Sequence, residues 1–221
     1  RRRHTRFRNV TGVQTCALPI FDVASRERVA AFPSEVMRHH PAVDLLFNNA
    51  GVAVGGRFLE TTEADFDWLF EINFHGVVRM TRAFLPMLLV RPDAHIVNTA
   101  SLFGIIAPAG QTHYSASKFA VRGFTEALAA ELVGTGVSVH LVHPGGVATN
   151  IARQEGSQQF AAKYLTTSPD RIARTVLDAL GTRRTRIVAG HRAPTTWLGA
   201  RLLPLWAMTR LVRRDLDGVL D

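Results

Sequence analysis

The chain has 221 residues, 47% hydrophobic and 20% charged. That composition builds a packed core and excludes wholesale disorder. A single cysteine, Cys16, excludes an internal disulfide framework and any multi-cysteine metal site. The formal charge of +8 suggests a polyanion partner, but its placement does not. Five of the 26 basic residues lie in the first eight positions and eight more between positions 183 and 214, leaving 13 against 18 acids elsewhere. The middle of the chain is therefore mildly acidic, and no nucleic-acid motif accompanies the basic ends. No apolar run reaches bilayer-spanning length, because the most apolar late stretch is broken by Arg201, Pro204 and Arg210.

Residues 1–9 show no hydrophobic period. Residues 10–20, VTGVQTCALPI, resemble the conceptual translation of a sequencing-library adapter. They lack the continuous apolar core and cleavage site of a secretory signal. Residues 1–20 are accordingly read as a non-native segment, with natural sequence starting near Phe21. Deleting them is expected to leave thermal stability largely unchanged.

From there helix and strand patterns alternate. Residues 25–39 carry Val29, Phe32 and Val36 at helical spacing, with Ser25 as N-cap. The apolar run 43–47 reads as a strand buried on both faces. Residues 62–89 form a long helical pattern, 96–99 a second strand, 114–132 an alanine-rich helix and 137–142 a third strand. A helix over 169–180 starts at Pro169, suited to a first turn, and 186–189 is a last short strand. This alternation predicts an α/β fold with a parallel sheet, its ligand site beyond the carboxyl ends of the strands. The domain reading is 21–190 for the α/β body and 191–221 for a basic, apolar helical tail.

The motifs fall at those strand ends. Asn48-Asn49-Ala50-Gly51 follows the first strand, and small residues there let a backbone approach a ligand. An ordinary strand-to-helix turn would look the same. Tyr114 and Lys118, four apart, share a helix face. A tyrosine with a pKa of about 10 is a poor base at neutral pH, and a nearby ammonium favours its phenolate. Ser101, just past a strand, could bond a carbonyl oxygen or merely cap a turn. Asn73 and Gly76 oppose helical propensity inside a long helix, which predicts either a local distortion or simple packing tolerance. Pro144-Gly145-Gly146-Val147-Ala148-Thr149 closes the third strand and could cup a flat ring.

In this order and spacing, these signatures resemble the short-chain dehydrogenase/reductase family over residues 21–180. The resemblance implies a Rossmann-like doubly wound parallel sheet, here incomplete at the N-terminus. It implies an oxidoreductase using NAD or NADP to interconvert an alcohol and a ketone or aldehyde. Tyr114 would be the acid/base, Lys118 would hold the nicotinamide ribose, Ser101 would polarise the carbonyl and Asn73 would anchor a relay water. Asn48, Ala50 and Gly51 would line the cofactor groove. Val147 and Thr149, on the Pro144-Gly145 turn, would meet the carboxamide, and Asp22-Val23 the adenine. The family's Gly-x-x-x-Gly-x-Gly turn, which cradles pyrophosphate, has no counterpart in this sequence, and residues 1–20 contain only Gly12. The chain is therefore read as N-terminally truncated and as a weak cofactor binder.

Phe103, Ile105, Ile106 and Phe160 suggest an apolar substrate pocket, although core packing would use them equally well. His113 reads as a wall or structural residue, and His39 and His40 lack metal-ligand spacing. Residues 192–214 interleave Trp and Leu with Arg, as an interfacial helix on anionic lipid or a pocket-covering helix would. The resemblance implies a cytoplasmic homo-oligomer, and the tail adds the option of peripheral membrane contact. Two other readings are a non-catalytic module on this fold, opposed by the intact Ser, Tyr and Lys, and a sugar-nucleotide epimerase.

Overall fold

The structure, a computed structural model, describes residues 20–149, 151, 158–182 and 184–216. The N-terminal basic block, residues 10–19 of the adapter-like string with Cys16, and Arg183 of the second basic block lie outside the described residues.

Local chemistry sets the helix starts. Ser25 Oγ accepts from Arg28 N and opens α1 (Arg26–Met37), as the sequence suggests. Strand β1 (Leu45–Asn48) follows. Thr62 Oγ1 accepts from Asp65 N and opens α2 (Glu63–Phe70). A π-helical turn, Glu71–His75, joins α2 to α3 (Gly76–Leu89). Next come β2 (Ala94–Thr99), a 3-10 turn (Leu102–Gly104), α4 (Thr112–Glu131) and β3 (Val137–Pro144). After α5 (Gln158–Tyr164), Ser168 caps α6 (Pro169–Leu180), with proline in the first turn, where its missing N–H costs nothing. Strand β4 (Arg186–Ala189) leads to α7 (Ala193–Leu202) and α8 (Leu205–Leu216).

The four strands are parallel, in the order β1-β2-β3-β4, with Leu46 beside Ile96, Ile96 beside Val139 and Leu141 beside Arg186. One sheet face, bearing Leu46, Ile96 and Val139, packs on Val29 and Val36 of α1, Phe84 and Leu88 of α3 and Leu128 of α4. On the other face Val97, Val142 and Ile187 lie under Val176 and Ala179 of α6. Each fully buried Val, Leu or Ile contributes about 1.5–3 kcal/mol. A polar ladder crosses the first core: Asn48 Nδ2 donates to Asn98 Oδ1 (2.8 Å) and Thr81 Oγ1 (3.1 Å), and Asn98 Nδ2 donates to Thr125 Oγ1 (3.0 Å). Partnered this way, these amides can be buried without leaving unpaired groups.

Two expectations are corrected. Strand β1 is buried on one face only: Leu46 and Asn48 point into the core, while Leu45 and Phe47 are 39% and 43% exposed. Helix α6 covers the other face over β2, β3 and β4, and its apolar cluster does not include Leu45 or Phe47. The tail is two helices rather than one, because Pro204 lacks an amide hydrogen and its ring obstructs the preceding turn. The carboxyl ends of all four strands share one edge of the sheet, and the turns leaving them build the site.

Candidate active site

Ser101 leaves β2 in an extended conformation, and its Oγ accepts from Phe103 N at 3.1 Å. That bond pins the serine at the sheet edge. Tyr114 and Lys118 lie one turn apart at the start of α4, 9% and 3% exposed. The Ser101 side chain stands close enough to the Tyr114 hydroxyl to influence its ionisation. Lys118 Nζ donates to Thr99 O at 3.1 Å and stands 5.6 Å from the centre of the Tyr114 ring. The three side chains singled out in the sequence thus meet at one point.

Their electrostatics differ from expectation. Burial pushes the Tyr114 phenol above its ordinary pKa, and the Ser101 side chain pulls it only part of the way back. Burial also lowers Lys118 to about 8. Burial dominates the phenol's shift: Lys118 is itself desolvated, and its Nζ bonds the Thr99 carbonyl.

Asn73 sits at the centre of the π-turn and is fully buried. The conflict of Asn73 and Gly76 with helical propensity is therefore resolved as a distortion, a common feature of functional sites. Its Oδ1 accepts from Val52 N (2.8 Å), and its Nδ2 donates to Val52 O (2.9 Å) and Ser117 Oγ (3.1 Å). Gly51 lies between this amide and the lysine. A Cβ there would stand 3.3 Å from Asn73 Oδ1 and 3.4 Å from Lys118 Nζ. Gly146 is more constrained, since a Cβ would fall 1.6 Å from Tyr164 O.

These residues border a cavity of about 1440 Å³. Gly51, Ser101, Tyr114, Lys118, Pro144, Gly145, Val147 and Thr149 all line it. Asn48 does not, because its amide is committed to Thr81 and Asn98. Val23, Asn48 and Ala50 instead border a small cleft of about 60 Å³ beside β1. Asp22 is exposed, and its Oδ1 accepts from Ala24 N at 2.9 Å. Phe103, Ile106 and Phe160 line the large cavity and Ile105 does not. His113 is buried with its ring against Phe66 and 3.2 Å from Thr61 Oγ1, a structural placement. Among the described residues no cluster of metal-ligating side chains occurs, and no helix is long and apolar enough to cross a membrane.

Sequence reasoning missed one part of this site. His143, fully buried on β3, donates Nδ1–H to the Ser101 carbonyl at 2.7 Å, and burial lowers its pKa to about 4. Its alternation with Leu141 on β3 marks it as buried, but not as a partner of Ser101. Met208, Leu211, Val212 and Leu216 of α8 also line the cavity, in line with the pocket-covering alternative for residues 192–214.

The model of the family described as short chain dehydrogenase matches residues 5–159. The chain belongs to the short-chain dehydrogenase family. This dehydrogenase is 40% identical over 194 residues to SadH of Mycobacterium tuberculosis, a match covering 82% of the chain and 70% of SadH. It is 31% identical over 191 residues to Dehydrogenase/reductase SDR family member 7B of Xenopus tropicalis, covering 83% of the chain and 62% of that protein. Its fold resembles a short chain dehydrogenase/reductase from Burkholderia phymatum crystallised in complex with NAD. The TM-score is 0.74 at 29% identity, covering 90% of this chain and 76% of the other.

Proposed function

We propose that this short-chain dehydrogenase interconverts an alcohol and a ketone or aldehyde with NAD or NADP, using Tyr114 as the proton-transfer group. The observation that carries this reading is the Tyr114–Ser101 hydroxyl pair at the cavity edge, with Lys118 buried behind it. The residues present suit a nicotinamide. Gly51, Gly145 and Thr149 line the cavity with backbone and small groups. Asn49, Gly51, Lys118, Val147 and Thr149 would hold it, and Val23 with Ala50 would border the adenine end. A bound nicotinamide would supply the hydride added to the carbonyl carbon in reduction and accept the hydride leaving the alcohol carbon in oxidation.

The protein's own groups handle the proton. Ser101 Oγ–H donates to the carbonyl oxygen and orients it. Tyr114, its pKa raised, is protonated at neutral pH and gives its proton to the same oxygen as the alcohol forms. In oxidation the phenol must take a proton back, and Lys118 supports the phenolate formed when it releases one. The π-turn at Asn73 supports its role in anchoring a water that refills this proton through Lys118. Phe103, Ile106, Phe160 and the α8 side chains favour an apolar substrate.

The test is carbonyl reduction measured with NADH and with NADPH for the wild type, Tyr114→Phe and Ser101→Ala. Both variants should lose at least about 100-fold in turnover while keeping their unfolding midpoint. A Tyr114→Phe protein as active as the wild type would overturn the assignment. The sequence carries no Gly-x-x-x-Gly-x-Gly string, so calorimetry should find either nucleotide binding more weakly than micromolar.

A further inference from the structure

The hairpin of α7 and α8 has an unusual tip. Residues 201–206 (RLLPLW) are all exposed, with Leu202 at 72%, Leu205 at 83% and Trp206 at 64%. A contiguous run of bare Leu and Trp marks a surface that something covers. Guanidinium groups bracket it: Arg201 lies 5.1 Å from the centre of the Trp197 ring, and Arg210 lies 5.4 Å from that of Trp206. Trp206, Arg210 and Arg213 recur at helical spacing and so share one face of α8. Both Arg213 and Arg214 are exposed. No acidic residue occurs between positions 179 and 214, and Asp215 is paired with Arg192.

We propose that this tip docks on an anionic lipid surface. Leu202, Leu203, Leu205 and Trp206 enter the boundary between headgroups and acyl chains, and Arg201, Arg210, Arg213 and Arg214 meet the lipid phosphates. Apolar tips flanked by arginine, with tryptophan at the boundary, are the chemistry of interfacial binding. The electrostatic part needs negative headgroups. A second copy is the poorer occupant, since a two-fold pairing of tips would set each guanidinium cluster against its own copy. The opposite face of α8, with Met208, Val212 and Leu216, lines the cavity. Docking therefore uses side chains that the reaction does not, and the inference stands apart from the dehydrogenase reading.

The experiment is flotation of the full chain with vesicles of phosphatidylcholine alone or with one-third phosphatidylglycerol. Partition should be at least ~10-fold stronger on the anionic vesicles and weaken as salt rises. Combined Leu202→Ser, Leu205→Ser and Trp206→Ser should abolish it without moving the unfolding midpoint, because these side chains are exposed. Combined Arg210→Glu and Arg213→Glu should cut it by ~10-fold or more. The proposal is overturned if the wild type does not float with anionic vesicles, or if flotation survives the triple serine substitution. It is equally overturned if sedimentation shows a dimer that the triple substitution dissolves while no vesicle binding is seen. None of these results touches the Tyr114 assignment, which rests on carbonyl reduction.

Discussion

On one side of the cavity stand Ser101, Tyr114 and Lys118, backed by Asn73 and His143; Tyr114 is buried and the other four are each held by a hydrogen bond. On the other side stand Met208, Leu211, Val212 and Leu216, carried by a hairpin that has exposed leucines on its outside. The hairpin is fastened by the Arg192–Asp215 ion pair and by the Tyr164 hydroxyl, which donates to Asp215 O at 2.7 Å. The contrast separates two tasks. Proton transfer needs groups fixed before the substrate arrives, since geometry decides its rate. Accommodating an apolar substrate needs only shape and adaptability, which Met and Leu provide.

Substitutions should break this contrast in graded steps. The largest effect belongs to Tyr114→Phe, with turnover down at least about 100-fold and folding intact. Gly146→Ala should cost about 3 kcal/mol or more in denaturant unfolding, because its methyl would collide with Tyr164 O, which cannot move without shifting α5. Asn98→Leu should cost about 1–3 kcal/mol, because the Asn48 amide, left with Thr81 alone, and the Thr125 hydroxyl, left with the Val121 carbonyl, each lose one buried partner.

His143 gives a pH test of the fixed wall. Its pKa falls from 6.5 to about 4 in the folded state, so the unfolded chain binds the extra proton first as pH drops. The stability it contributes is complete above pH 6.5 and is lost as pH falls toward 4. Unfolding free energies across that window should decline less steeply for His143→Asn. The smallest effect belongs to the adaptable wall: Met208→Ala should change KM for apolar carbonyls by ~10-fold at most and leave kcat nearly unchanged. A large kcat effect there would erase the division of labour between the walls.

Much of this was legible in sequence, and what was not has identifiable causes. Ser25 and Pro169 mark helix starts because capping and first-turn preferences are local chemistry, and β4 falls at 186–189 as read. The Tyr114–Lys118 spacing places both on one helix face, and the turn after β2 brings Ser101 to them. Other features depend on distant chain. The one-sided burial of β1 reflects which helices cover which strands. Helix α5 was too short for a periodic signal. The direction of the Tyr114 shift depends on burial, which outweighs the charge effect that spacing alone suggests.

That direction is open to a direct measurement. The chain has two tyrosines, Tyr114 and Tyr164, so carbon-13 labelling of the phenol carbon gives two resonances, assigned by Tyr114→Phe. With Tyr114 buried and the Ser101 side chain easing its ionisation, its resonance should titrate above pH 10 and move higher still in Ser101→Ala. A Tyr114 resonance titrating at or below pH 10 and indifferent to Ser101→Ala would contradict the hydroxyl pair on which the proposed chemistry rests.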